Sequence, residues 1–185
     1  MLIGIFGGFG SGKTLLLTVI TVNASKTGRY ECYTNFRVER KNVNYIEAED
    51  LLDINPEGNT RAFIGLDEIY AWLDSRVSSS KVNRVLSWII LQSRKRNMDI
   101  CYTAQLSSSI DIRLRNMTDI AIFANKKYDG FYYDLRWQNE NQVYNRKFFL
   151  SAGIAQYYYD KYDTREIVKP VNFDELRKAF KQEKS

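Results

Sequence analysis

Residues Gly7–Thr14 read Gly-Gly-Phe-Gly-Ser-Gly-Lys-Thr, and few octets constrain a fold so tightly. Gly7, Gly12, Lys13 and Thr14 satisfy the G-x-x-x-x-G-K-[ST] phosphate-loop pattern, which works only where a strand runs into the loop and a helix leaves it. Both neighbours are present. Leu2-Ile3-Gly4-Ile5-Phe6 is a short apolar run that reads as a buried strand, and Leu15 to Val22, interrupted only by Thr18 and Thr21, reads as a helix closing near Gly28. Glycines let successive backbone N–H groups turn inward around phosphate oxygens, and the helix N-terminus adds its positive end. Gly7, Gly8, Phe9, Gly10, Ser11, Gly12, Lys13, Thr14 and Leu15 are therefore expected to line a site for ATP. Lys13 is expected to reach the β- and γ-phosphates and the Thr14 hydroxyl to hold Mg²⁺. The plainer alternative is a glycine-rich turn that starts an ordinary helix.

The pattern beyond the loop alternates. Glu31 to Asn35 reads as a second strand, 37–46 as a short extended segment, and Glu49 to Ile54 as a brief helix ended by Asn55-Pro56-Glu57-Gly58-Asn59. Ala62 to Leu66 is a buried strand running into Asp67-Glu68. A helix follows, then a Ser-rich break at 75–80, then helical spacing of Val82, Val85, Leu86 and Ile89 through to about Asn97. Ile100 to Ala104 and Asp119 to Asn125 are further strands. Strands alternating with helices predict an α/β fold, a parallel sheet covered on both faces. From Phe131 the period changes to two, and Asn139-Glu140-Asn141 links this run to Val143–Leu150, an antiparallel hairpin at the sheet's edge. Asn172 would cap a last helix with the apolar stripe Phe173, Leu176 and Phe180. The reading is one domain over 1–185, with a core at 1–125 and an extension at 126–185.

Composition narrows the chemistry. The chain has 185 residues and no histidine, which excludes His-based acid–base catalysis and classical zinc sites. Cys32 and Cys101 fall on expected strands and read as buried thiols. No stretch is long and apolar enough to cross a bilayer, and no signal segment opens the chain, so the expectation is a cytoplasmic protein. Net charge is +5. Residues 75–147 alone carry 13 Lys+Arg against 6 Asp+Glu, so this stretch holds the whole excess and points to a polyanionic partner.

Leu66-Asp67-Glu68 places two acids at a strand end. Asp67 is expected to hold Mg²⁺, and Glu68 to orient and deprotonate a water. The competing reading is an acidic helix start. Gln105 ends a strand predicted to lie between those of the phosphate loop and of Asp67, which would bring its amide near the γ-phosphate. Arg94 and Arg96 close a helix, where cations are favoured anyway. Either could act on a neighbouring subunit's nucleotide, with Arg76 and Arg113 as rivals.

This order of motifs, with Ile100-Cys101-Tyr102-Thr103-Ala104-Gln105 and Ser109-Ile110-Asp111-Ile112-Arg113-Leu114-Arg115, resembles the FtsK/HerA superfamily of P-loop NTPases, of the ASCE or RecA-like kind. The run Asp67 to Arg76 looks most like compact genome-packaging ATPases of archaeal and membrane-containing viruses, with similarity to Zot-like assembly ATPases. The resemblance covers roughly residues 1–125. It implies a homo-oligomeric ring, hexameric or pentameric, with ATP between subunits, double-stranded DNA in a basic pore, and capsid or portal proteins as further partners. It also implies residence in host cytoplasm or virion. Zot-like virion assembly and a nucleotide-dependent scaffold with little turnover are the alternatives. Candidate DNA contacts are Arg76 and Lys81 of the Ser-rich loop, Lys126 and Lys127 at a strand end, and Arg136, Arg146 and Lys147 on the hairpin. Tyr157-Tyr158-Tyr159 and Tyr162 read as packing or a subunit contact, with base stacking as the rival. No base-reading motif is visible.

Overall fold

A computed structural model describes residues 1–72, 90–93, 95–106, 108, 110, 112–139 and 142–171. Arg76, Lys81, Arg94, the Ser-rich break and the helix expected from Asn172 lie outside them. The sheet has eight strands, numbered along the chain as β1 (Leu2–Phe6), β2 (Tyr30–Thr34), β3 (Val43–Tyr45), β4 (Arg61–Leu66), β5 (Met98–Ala104), β6 (Ile120–Lys127), β7 (Gly130–Asn139) and β8 (Gln142–Ser151). Their spatial order is β3-β2-β4-β5-β1-β6-β7-β8. The first six positions are parallel and the last two antiparallel. The strand ending at Gln105 does lie between those of the phosphate loop and of Asp67.

Burial on both faces explains the near-continuous apolar strands. All five residues of β1 and all seven of β5 are buried. Along β1 the alternation of side chains divides them: Leu2 and Phe6 join one core, Ile3 and Ile5 the other. Helix α1 (Lys13–Lys26) fills the second core with Leu15, Leu16, Leu17 and Val22. Each fully buried leucine there contributes about 1.5–3 kcal/mol. The two threonines that interrupt its apolar run are also buried, because Thr18 and Thr21 donate their hydroxyls to the carbonyls of Thr14 and Leu17, both at 2.8 Å.

The edge differs from the sequence reading in extent. The Tyr128-Asp129 turn folds β7 back on β6, so the antiparallel part is a three-strand meander rather than a lone hairpin. An unexpected helix, α3 (Ala152–Tyr159), follows β8; Ser151 caps it by accepting from the Ile154 N–H at 3.4 Å. A short α2 (Ile112–Asn116) precedes β6.

Polar clamps hold the strand-entry end of the sheet. Asp99 accepts from the Arg61 guanidinium at 2.9 and 3.1 Å, the Tyr30 hydroxyl at 3.0 Å and the N-terminal ammonium at 2.6 Å. Burial raises its pKa, but these donors outweigh burial and hold it below the usual carboxylate value. Asp99→Asn should cost about 1–3 kcal/mol in chemical denaturation at neutral pH. Because the folded pKa is depressed, the gap between wild type and variant should be full above pH about 4 and shrink as pH falls further.

Candidate functional site

The carboxyl ends of β1, β4 and β5 converge on one mouth. The chain leaves β1 through the glycine loop and enters α1 at Lys13. Gly12 sits at φ +92°, in the left-handed region, and a Cβ there would lie 2.4 Å from Phe131 Cδ1. Only glycine meets both demands. Phe131 and Tyr133 of β7 thus buttress the loop, and the Tyr133 hydroxyl donates to the Gly12 carbonyl at 3.0 Å.

Several loop groups lack partners among the described residues. The amides of Phe9, Gly10, Gly12, Lys13 and Thr14 have no acceptor there. The Ser11 hydroxyl is buried and unbonded. Unsatisfied donors around a glycine turn match the oxygen-rich surface of a polyphosphate, so the residues fit that group. Lys13 is buried and donates to the Gly8 carbonyl at 2.9 Å. Burial lowers its pKa, against the pull of Asp67 and Glu68.

Asp67 follows β4 directly and is buried at the same mouth. The Thr14 hydroxyl lies 3.1 and 3.0 Å from its two carboxylate oxygens, and the Thr103 hydroxyl donates to Oδ1 at 2.6 Å. Asn35 grips its backbone with both amide atoms: Nδ2 donates to the Asp67 carbonyl at 2.9 Å, and Oδ1 accepts from the Asp67 N–H at 2.7 Å. Burial nonetheless raises the Asp67 pKa, only partly offset by the Thr103 and Thr14 bonds. A buried carboxylate beside a hydroxyl is a donor set able to hold a hard, hydrated cation.

Glu68 adopts φ 45°, ψ 53°, a left-handed conformation costly for a residue with a side chain. Its N–H donates to the Thr103 hydroxyl at 2.9 Å, which in turn donates to Asp67. One threonine therefore links the two acids. Burial pushes the Tyr70 hydroxyl up to about 12, with neighbouring Glu68 as the next cause. Both Glu68 and Gln105 act electrostatically on this hydroxyl, which the sequence reading did not single out. Asn35 and Thr103 were equally missed, although a polar residue at or next to a strand's carboxyl end was visible at each.

Other expected residues sit elsewhere. The Arg96 guanidinium, at the opposite end of the sheet, donates to the carbonyls of Leu51, Leu52 and Ile54. Reaching a neighbour's nucleotide would require it to leave all three. Lys126 and Lys127 point to opposite faces of β6. Lys126 stands over Phe131 at 5.6 Å on the rim of the loop's cavity, whereas Lys127 covers Tyr132 at 4.7 Å on the far face. Arg136 stacks on Phe123 at 4.7 Å and pairs with Asp134 at 3.1 Å.

The chain has a P-loop NTPase fold. Its structure is similar to the N-terminal domain of zonular occludens toxin from Neisseria meningitidis, with TM-score 0.58, 17% identity, 88% of this chain covered and 98% of that one. It is also similar to the genome-packaging NTPase B204 of Sulfolobus turreted icosahedral virus 2 in complex with ATPγS, with TM-score 0.60, 11% identity, and 80% and 98% covered. These are the two groups that the sequence resembles. No protein-family model matches the chain, and no curated protein does. No helix among the described residues is long and apolar enough to cross a membrane.

A raised folded-state pKa makes ionised Asp67 unfavourable to folding at neutral pH. Asp67→Asn, which keeps the shape and can still bond Thr103 and Thr14, should raise the thermal midpoint of the ligand-free protein by about 2–4 °C. The sign follows from the shift: wild-type stability from this group is full below pH about 4 and is lost as pH rises, so the advantage of asparagine should vanish in acid.

Proposed function

We propose that this chain hydrolyses ATP and uses the cycle to move double-stranded DNA, as in packaging a viral genome. The observation that carries the reading is the meeting of Lys13, Thr14, buried Asp67 and strained Glu68 at one mouth, beside loop amides with no acceptor among the described residues. In this reading Gly7–Leu15 cradle the triphosphate, and Lys13 spans the β- and γ-phosphates. Thr14 and Asp67 would hold Mg²⁺, which when bound neutralises phosphate charge. Glu68 takes a proton from the attacking water, and Gln105, at the end of β5, senses the γ-phosphate. A switch needs no second acid in a costly backbone conformation, so Glu68 favours turnover.

Support for the DNA cargo comes from the basic stretch 75–147 and from the likeness to B204, described as a genome-packaging NTPase and a DNA-packaging ATPase. Lys127 and Arg136, on one face of the meander, and Arg76 and Lys81 are the proposed phosphate contacts. Lys126 faces the nucleotide cavity instead. A ring of subunits would place Arg94, or Arg96 if released, at a neighbour's site. The likeness to the zonular occludens toxin domain supports a second reading, virion assembly, in which DNA does not stimulate turnover.

Glu68→Gln should lower steady-state ATPase kcat by about 10²–10⁴-fold while ATP binding persists, and Lys13→Ala should abolish binding. Full turnover in Glu68→Gln would remove the proposed base. Double-stranded DNA should raise wild-type turnover, and its affinity should fall steeply with salt. Turnover indifferent to DNA and to protein concentration would select the assembly reading.

A further inference from the structure

The cavity at the glycine loop is larger than a phosphate site needs. It has a volume of about 290 Å³ and runs from Gly10, Lys13 and Thr14 to a wall formed by Phe131, Tyr159, Tyr162 and Thr164. That wall belongs to the extension, whose Tyr159 and Tyr162 read in the sequence as packing or a subunit contact, with nucleic-acid stacking as the rival. Its rings are ordered against one another. Phe131 meets Tyr159 edge-on at 6.5 Å, Tyr159 meets Tyr162 at 6.3 Å and 42°, and Tyr162 meets Phe36 edge-on at 6.3 Å.

The wall is also held in place from two directions. Helix α3 packs on α1, which carries the loop. Beyond it, Tyr162 bridges to Val38, the Glu39 N–H donates to the Lys161 carbonyl at 2.7 Å, and the Arg37 N–H donates to Glu166 at 2.7 Å. Phe131 and Tyr162 are buried, whereas Tyr159 is only half-buried. Tyr159 thus offers ring surface to the cavity. Phe9, at the loop tip on the same cavity, is 84% exposed.

We infer that the aromatic wall of the extension binds the nucleoside of the bound triphosphate, with the base stacked on Tyr159 and covered by Phe9. This rests on the nucleotide-binding reading above. The chemistry is that of a flat, weakly hydrated π-surface meeting a rigid tyrosine of low side-chain entropy, and it suits a purine better than a smaller pyrimidine. Thr164 adds a polar residue to the same wall.

Direct binding of ATP and of inorganic tripolyphosphate, each with excess Mg²⁺, separates base from phosphate contacts in wild type, Tyr159→Ala, Tyr159→Phe and Lys13→Ala. Tyr159→Ala should weaken ATP by about 5- to 100-fold, the range expected for one base–aromatic stack, and leave tripolyphosphate within about 2-fold. Tyr159→Phe should bind both like wild type. If Tyr159→Ala does not fold, Tyr159→Leu keeps the packing volume without the π-face and should give the same selective loss. Equal weakening of both ligands, or no weakening of ATP, overturns the inference while leaving the phosphate site intact. Wild type binding neither ligand overturns the nucleotide reading and this inference with it.

Discussion

The buried carboxylate of Asp67 is the group around which the site is organised. An ion taken out of water is tolerated only with close polar partners, and Asp67 has hydroxyls from two other elements plus an amide clamp on its own backbone. Those partners come from α1, β5 and the end of β2. The carboxylate can therefore be satisfied only when β2, β4, β5 and β1 take their observed order. Parallel pairing then brings every strand's carboxyl end to the same side, which is where open α/β sheets place ligands.

Thr103 carries that organisation onward. It receives the Glu68 N–H and donates to Asp67, so the left-handed backbone at Glu68 is tied to the register of β4 against β5. Strain at a position held from several sides is a feature of functional sites. Tyr70 adds a half-buried hydroxyl within electrostatic reach of Glu68 and Gln105. Removing the Thr103 hydroxyl would therefore disturb both acids at once.

The extension is joined to this centre rather than appended to it. Phe131 fills the space that a side chain at position 12 would need, and Tyr133 bonds the same residue's carbonyl. The meander also divides its cations by strand alternation. Lys126 faces the glycine-loop cavity, while Lys127 and Arg136 lie on aromatic rings of the other face. A sequence reading that pairs adjacent lysines as one patch misses this, because neighbours in a strand point apart.

The strand–loop–helix unit, the acids after β4 and the antiparallel edge were all legible in the chain, because each depends on local periodicity or on a motif whose residues are contiguous. Helix α3 was not, since its short run of alanine, glycine and tyrosine carries little helical signal and gains its order by packing on α1. The same limit hid Asn35, Thr103 and Tyr70, and left Arg96 open to a role that three carbonyls now occupy. Which polar side chain meets which acid depends on strand order and register, quantities set by long-range packing. The amino-acid sequence by itself determined that a phosphate loop and two acids exist; only the tertiary structure decided which groups hold them together, because partners dozens of residues apart become neighbours only when the sheet forms.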